Sequence, residues 1–554
     1  MRLLFTAYLF LLPAVLFSQQ PVSINVDAAQ KLGAFQPIWS YFGYDEPNYT
    51  YAKNGKKLIG ELSALSYAPV YIRAHNLLTT GKGTSSLKWG STNAYTLDDS
   101  RKPVYDWTIV DRILETYLNA GAKPFVEIGF MPEALSTHPE PYRHAFPKGT
   151  VFTGWSYPPT DYGKWGDLVF RWVQHSVEKY GKAEVESWYW EVWNEPDIPY
   201  WHGTPEEYDK LYDYTAAAVK RALPTARVGG PASTGPGNPK AAAFLRQFLE
   251  HCSRGKNNVT GATGAPLDFI SYHAKGRPEL EQAHVRMGLS QDMKDVSGGF
   301  KIISSFPKFH SLPIILSESD PEGCAACSVQ THPQNAYRNG TLYSSYVAAA
   351  TDTILKLAAR DRANIHGMLT WAFEFEDQPY FSGMRALATN GIDKPVLNVF
   401  RMLGLMRGDA VKVQSSGALP LDSIVNAGVR RNPDIDALAV RSDHTISVLV
   451  WNYHDEDVLV SPSDIKLSIA GIPQSSRRVL MRHYRIDQGH SNAYTAWKRM
   501  GSPQNPTPEQ YTRLESAGQL QLLASPSWID NGAGKVNLNF ALPRQGISLV
   551  QLSW

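Results

Sequence analysis

Between Phe35 and about Gly404, short apolar runs of strand character alternate with longer amphipathic runs, and no other feature constrains the fold as tightly. The strand candidates are residues 38–43, 70–74, 124–129, 187–193, 228–230, 269–273, 314–318 and 365–371. Helical periodicity separates them over 107–120, 164–180, 205–222, 241–252 and 344–359. Eight strands alternating with helices is the count of a (β/α)8 barrel in the α/β class. A doubly wound open sheet is the alternative, but no glycine-rich phosphate loop follows an early strand.

From Met406 the pattern changes. Runs at 445–451, 466–469, 478–484, 536–540 and 547–552 are short, alternating and rich in Val, Leu and Ile, with turn residues between them. That pattern predicts an antiparallel β-sandwich. Residues 22–26 also alternate, and this strand is expected to join the sandwich, so that the barrel is inserted after it. The expected division is a signal peptide over 1–18, an N-terminal strand segment over 19–34, the barrel over 35–405 and the sandwich over 406–554. The leader reading rests on Arg2, an apolar run from Leu3 to Phe17 and the polar break Ser18-Gln-Gln20. It predicts a secreted or periplasmic protein with no integral membrane segment after cleavage. The formal net charge of +2 offers no general field for nucleic acid.

The three cysteines are Cys252, Cys324 and Cys327. In an exported chain Cys324-Ala-Ala-Cys327 is read as a disulfide-stapled loop in preference to two free thiols. No second Cys/His cluster has the spacing of a zinc site.

Active sites of (β/α)8 barrels lie at the C-terminal ends of the strands. Glu195, in Trp193-Asn-Glu-Pro196, follows the fourth barrel strand, and Glu318, in Ile314-Ile-Leu-Ser-Glu318, ends the seventh. Both are expected at one mouth. Two carboxyl groups flanking a pocket are what glycoside hydrolysis requires, one as proton donor and one as nucleophile or charge stabiliser. Asn194 is placed to donate to a sugar 2-hydroxyl. Arg73, closing the second strand, is expected to pair with the nucleophile or with Glu191 and keep a carboxylate ionised. His75 reads either as a sugar ligand or as an ordinary hydrogen-bonded histidine. Tyr272 and His273 close the sixth strand and are expected close to where the two glutamates meet, and Lys275 follows them. The lysine is either a holder of a substrate carboxylate or a solvated side chain. Trp371 ends the eighth strand as a sugar-stacking floor or as core. No Gly-x-Ser-x-Gly, His-Glu-x-x-His or P-loop is present, which removes support for serine hydrolase, zincin and NTPase chemistry.

Taken in order, several motifs resemble glycoside hydrolase family 39. They are Ile72-Arg-Ala-His75, Trp193-Asn-Glu-Pro-Asp197, Gly229-Gly-Pro231, Leu249-Glu-His-Cys252, Leu267-Asp-Phe-Ile-Ser271, His273-Ala-Lys-Gly276, Ser317-Glu-Ser-Asp-Pro321, Lys394-Pro-Val-Leu397 and Pro506-Thr-Pro-Glu-Gln-Tyr511. Within the family they look more like the α-L-iduronidases than the β-xylosidases. The resemblance implies a retaining mechanism without metal or organic cofactor, with Glu195 as acid/base and Glu318 as nucleophile. It also implies that Lys275 meets a uronate carboxylate, that His75 binds the sugar, and that Arg385 is a second carboxylate-binding residue. The sequence departs from the family at Glu322-Gly-Cys-Ala-Ala-Cys327, where iduronidases carry a Gly-Trp loop, and at Phe373-Glu-Phe-Glu-Asp377. Both regions shape substrate fit, so a uronidase, a xylosidase and an arabinosidase all stay open. The expected function is an exported retaining exo-glycosidase acting on an oligosaccharide or polysaccharide. A non-catalytic carbohydrate-binding protein and a transglycosylase are the alternatives.

Overall fold

The computed structural model describes residues 20–144, 151–152 and 154–554. The segment read as a leader, 1–18, lies outside the described residues. Among the described residues no helix is long and apolar enough to cross a membrane.

After β1 (Val22–Ala34) come eight parallel strands: β2 (Tyr41–Tyr44), β3 (Tyr71–Ala74), β4 (Lys123–Ile128), β5 (Tyr189–Val192), β6 (Arg227–Ser233), β7 (Phe269–Lys275), β8 (Ile314–Asp320) and β9 (Ile365–Trp371). They pair in chain order and close, because β9 pairs with β2 through Leu369↔Tyr41 to Trp371↔Gly43. The expected (β/α)8 architecture is therefore present, and every strand candidate falls on a barrel strand, 365–371 with identical bounds and the others with one or both ends shifted. The main helices are α1 (Lys53–Ser63), α2 (Thr108–Ala120), α3 (Tyr162–Tyr180), α4 (Pro205–Ala222), α5 (Pro239–Arg254), α6 (Leu289–Ser304), α7 (Thr341–Asp361) and α8 (Pro395–Gly404). Periodicity had not marked α1, α6 or α8. All but one residue of α8 are buried, Asn398 among them, and a helix of 10 residues is shorter than the window over which a helical period is read.

Side chains fill the barrel in layers, because alternate residues of each strand point inward. At the bottom lies an aromatic layer. Tyr41 stacks on Tyr71 with centroids 4.9 Å apart, and Tyr189 meets Phe269 edge-on at 5.1 Å. Two residues higher on the same strands the filling turns ionic, with Arg73, Glu127 and Glu191 all fully buried. Gly43 has no side chain for a reason: a Cβ there would lie 2.5 Å from the Trp371 indole.

The C-terminal strands are β10 (Asp409–Ser415), β11 (Asp434–Arg441), β12 (Thr445–Tyr453), β13 (Ser463–Ala470), β14 (Arg478–Ile486), β15 (Gln521–Asp530), β16 (Lys535–Leu542) and β17 (Ile547–Ser553). With β1 they form one nine-stranded sheet in the order β15-β14-β17-β12-β11-β10-β1-β13-β16. Pairing is antiparallel except between β1 and β13, so the sheet is mostly rather than wholly antiparallel. The sheet folds back on itself. Arg485 on β14 donates to the Ala541 carbonyl on β16, and His483 packs edge-on against Phe540, although seven places in the strand order separate the two strands. Strands β10, β11 and β15 were not singled out from the sequence. Much of β15 is exposed, so it carries no clean alternation of buried and solvated residues.

Candidate active site

β5 stops at Val192, and the next residues turn sharply. Trp193 and Glu195 both have left-handed backbone, with φ of 72° and 46°. Such conformations are disfavoured for residues with large side chains and persist only where neighbours hold them. Here the Tyr208 hydroxyl donates to the Val192 carbonyl at 2.9 Å, Trp193 Nε1 donates to the Tyr200 carbonyl at 3.0 Å, and the Glu195 amide donates to the Ala232 carbonyl at 2.9 Å. The turn delivers Asn194 and Glu195 to the barrel mouth.

On the opposite side, β7 and β8 run two residues further than the sequence predicted. Their parallel register pairs His273 with Glu318 and Lys275 with Asp320. His273 Nδ1 sits 2.9 Å from Glu195 Oε1 and 3.8 Å from Glu318 Oε2. One ligating atom from each of Glu195, His273 and Glu318 lies within 4.8 Å of the others. Such a trio is also the kind that can hold a metal ion. Here Lys275 Nζ, 2.7 Å from Glu318 Oε2, and Arg73 Nη1, 3.3 Å from Oε1, already place positive charge on the carboxylate and oppose a second cation.

Glu318 is the better-defined charge of the pair. Burial by itself favours its neutral form, but Lys275, His273, Arg73 and His75 outweigh it and hold the carboxyl well below its usual range. Lys275 is lifted in turn: burial disfavours its charge, and Asp320 at 2.5 Å and Glu318 more than restore it. Asp320 is fixed from the other side by the Trp371 amide, 2.9 Å away.

Arg73 lies beneath this layer, fully buried, and spreads its guanidinium over four partners. It reaches Glu191 at 2.6 Å, Glu127 at 2.9 Å, Asn194 Oδ1 at 3.0 Å and Glu318 at 3.3 Å. Its bond to Asn194 Oδ1 orients that amide, so that Nδ2 points the other way. His75 is held by Glu127 at 2.5 Å through Nδ1, and its ring lies 4.2 Å from Trp371.

These groups surround a cavity of about 280 Å³ lined by Asp45, His75, Lys88, Tyr142, Asn194, Glu195, Ile198, Tyr200, Lys275, Glu318, Trp371 and the 323–325 loop. The Tyr200 hydroxyl is pushed well up, first by burial and then by the negative charges of Asp45, Glu195 and Glu318. Of the residues expected at the site, Asn194, Glu195, His75, Lys275, Glu318 and Trp371 line this cavity, and His273 bridges the two glutamates.

Two expectations need correction. Tyr272 faces outward: it is fully buried against Gly299 of α6, and its hydroxyl donates to the Val296 carbonyl at 3.0 Å. Neighbouring residues of a strand take opposite faces, so His273 and Tyr272 cannot both enter the mouth. Arg385 is fully buried behind the cavity wall. Its donors go to the Trp371 and Gly323 carbonyls and to the Glu322 backbone and carboxylate, which removes it as a direct ligand of a substrate carboxylate. Together with Arg338, which donates to the carbonyls of Cys324, Ala325 and Cys327, it holds the loop closed by the Cys324–Cys327 disulfide. Arg73 makes the expected pairing with both Glu191 and Glu318; it does not line the cavity, so it positions Asn194 and Glu318 rather than binding substrate. Asp45, Lys88, Glu127 and Asp320 were missed. Glu127, an inward-facing acid inside an apolar strand, was the detectable one, since a carboxylate there must have a buried partner.

The sequence model of "Glycosyl hydrolases family 39" matches residues 22–535. A β-xylosidase of Geobacillus stearothermophilus is 27% identical over 500 residues, 87% of this chain and 86% of its own length. The α-L-iduronidase of Homo sapiens is 25% identical over 593 residues, 99% of this chain and 81% of its own. Overall identity therefore does not carry the leaning toward iduronidases that the motifs suggested. Among solved structures, a GH39 enzyme from Xanthomonas axonopodis pv. citri superimposes with a TM-score of 0.75 at 22% identity, covering 98% of this chain and 99% of that one. A monomeric β-xylosidase from Caulobacter crescentus CB15 gives 0.75 at 22%, covering 96% and 99%. At these identities the two superpositions speak for the fold.

Proposed function

The chain belongs to glycosyl hydrolase family 39, and from that premise we propose that it is a retaining exo-glycosidase releasing a terminal pentose or uronic acid. The observation that carries the reading is the meeting of Glu195 and Glu318, with oxygens within 4.8 Å, at the wall of one cavity of about 280 Å³. Carboxyl groups about 5 Å apart leave no room for a water between them and the anomeric carbon, so one of them attacks directly. Glu318 is the nucleophile, because four cationic or potentially cationic groups keep it ionised. Its oxygen bonds the anomeric carbon as the bond to the leaving oxygen breaks, and Glu195 gives that oxygen its proton. Forming the ester removes the Glu318 charge and with it part of the repulsion felt by the Glu195 carboxylate. Glu195 then takes a proton from water, which attacks the same carbon and frees Glu318. Asp320 balances Lys275 throughout, so the lysine does not become an uncompensated charge when Glu318 is esterified.

Lys275 gives the uronide reading its support, and the β-xylosidase relatives support the pentoside reading. The Cys324–Cys327 staple supports an oxidising, exported location. The test is a panel of aryl xylosides, arabinosides and uronides, followed by proton NMR of the first sugar released. The expected sugar keeps the anomeric configuration of its substrate, and an inverted first product overturns the mechanism.

A further inference from the structure

The catalytic groups occupy one end of the cavity, and the other end is built as carefully. Asp45 follows β2 and is 4% exposed. Lys88, 5% exposed, sits on the Ser86–Trp89 turn with left-handed backbone, φ 57°. That turn is pinned to the segment after β2. The Lys88 amide donates to Glu46 Oε1 at 2.6 Å, and the Ser91 amide and carbonyl bond both ends of the Asn48 side-chain amide at 2.9 Å. Lys88 Nζ then lies 3.7 Å from Asp45 Oδ2, an ion pair looser than a close hydrogen bond. His75 Nε2 ties this corner to the reaction centre, standing 3.4 Å from Asp45 Oδ1 and 3.7 Å from Glu318 Oε1. Asp45 and Glu318 are thus separated by no more than those two distances together, about the width of one sugar ring.

A sugar in this cavity with its anomeric carbon at Glu318 and its 2-hydroxyl at Asn194 turns its remaining ring hydroxyls toward this corner. Buried hydroxyls need partners, and a carboxylate beside an ammonium offers acceptor and donor together. The two charges cancel locally, which suits an uncharged pair of neighbouring hydroxyls better than an anionic group. We propose that Asp45 and Lys88 read the 3- and 4-hydroxyls of the terminal sugar and confine the enzyme to residues on which both are unsubstituted. This rests on the glycosidase reading and names what that site selects.

The test measures kcat/KM on the aryl glycoside turned over best in the panel and on its 3-deoxy and 4-deoxy analogues. Asp45→Asn and Lys88→Met are compared with the unaltered chain, with Tm recorded for each. The expected result is a loss of about 10- to 100-fold on the parent for Asp45→Asn, the size of a hydrogen bond to a charged group. The further loss on at least one deoxy analogue should be less than about threefold, because the partner hydroxyl is already gone. Lys88→Met should show the same pattern at smaller size. Equal losses on parent and both analogues overturn the proposal. Calorimetric binding of a xylose-shaped iminosugar and its deoxy forms repeats the comparison without turnover. Hydroxyl-dependent loss of binding in Asp45→Asn with no hydrolysis of any panel sugar upholds this pair and overturns the glycosidase reading instead. Hydrolysis by the unaltered chain with no hydroxyl dependence in either assay does the reverse.

Discussion

The interior of the barrel and the interior of the folded sheet solve opposite problems. The central cluster of the sheet is aliphatic throughout, drawing on Ile24, Val26, Val448, Leu467, Val536 and Val550 among others. The upper barrel buries Glu127, Glu191 and Glu318 around Arg73, each within bonding or ion-pair distance of its guanidinium. An aliphatic cluster stabilises by removing apolar surface from water. A buried ionic cluster costs desolvation and returns it only when every charge is paired, so it contributes little net stability. What the barrel gains is geometry: a carboxylate kept ionised and an amide kept in one orientation. One half of the molecule is built mainly to stay folded, and the other spends part of that stability on fixed charge.

Substitutions test the contrast in order of size. Glu318→Gln should lower kcat/KM by about ten-thousand-fold or more, since the proposed reaction has no other nucleophile, and should also lower Tm, because Lys275 and Arg73 lose a carboxylate that the fold keeps ionised. A residual rate near that of the unaltered chain would place the chemistry elsewhere. Glu195→Gln should cost roughly 100- to 10,000-fold on glycosides with poor leaving groups. With a dinitrophenyl leaving group the first step should survive, visible as a burst, and equal damage to both substrate types would remove the acid/base assignment.

The two interiors are compared directly by Arg73→Met and Leu467→Ala. The first leaves Glu127 and Glu191 buried without their partner and should lose about 3–5 kcal/mol in denaturant unfolding. The same variant should lose activity as well, because Asn194 and Glu318 lose their anchor. The second opens a cavity in the sheet and should cost about 2–5 kcal/mol with kcat unchanged. Similar kinetic losses in both would erase the distinction.

The smallest expected effect is on pH dependence. Glu318 is depressed in the folded state, so its stabilising contribution is present above the unfolded carboxylate range and is lost as pH falls through its folded value. Lys275 is raised, so its contribution is present below the ordinary lysine range and is lost as pH rises through its folded value. Lys275→Met should flatten the alkaline side of a stability–pH curve and, because Lys275 is the foremost charge holding Glu318 down, weaken the acid-side dependence as well. An unaltered alkaline side would show that the lysine is not held by Asp320 and Glu318 in solution.

Much of this was legible in the chain. Short apolar runs broken by helical spacing identify the barrel, and glutamates at the ends of two such runs mark the pair proposed to be catalytic. Lys275 and His75 could be read because they follow strands whose direction was already known. Arg385 could not, because it belongs to a loop without periodicity, where nothing local says which way a side chain turns. Lys88 stayed hidden for the same reason.

Order along the chain thus determined which elements form, since hydrophobic period is a local property that each segment carries alone. Closure of the barrel decided which charges meet. Glu191, Arg73 and Glu318 lie far apart in sequence, and only the register of neighbouring strands makes them adjacent. Inward and outward faces likewise exchange with a one-residue slip. Tyr272 and His273 show it: next to each other in the chain, they lie on opposite sides of the barrel wall because hydrogen-bonded pairing, not composition, sets the face each one takes.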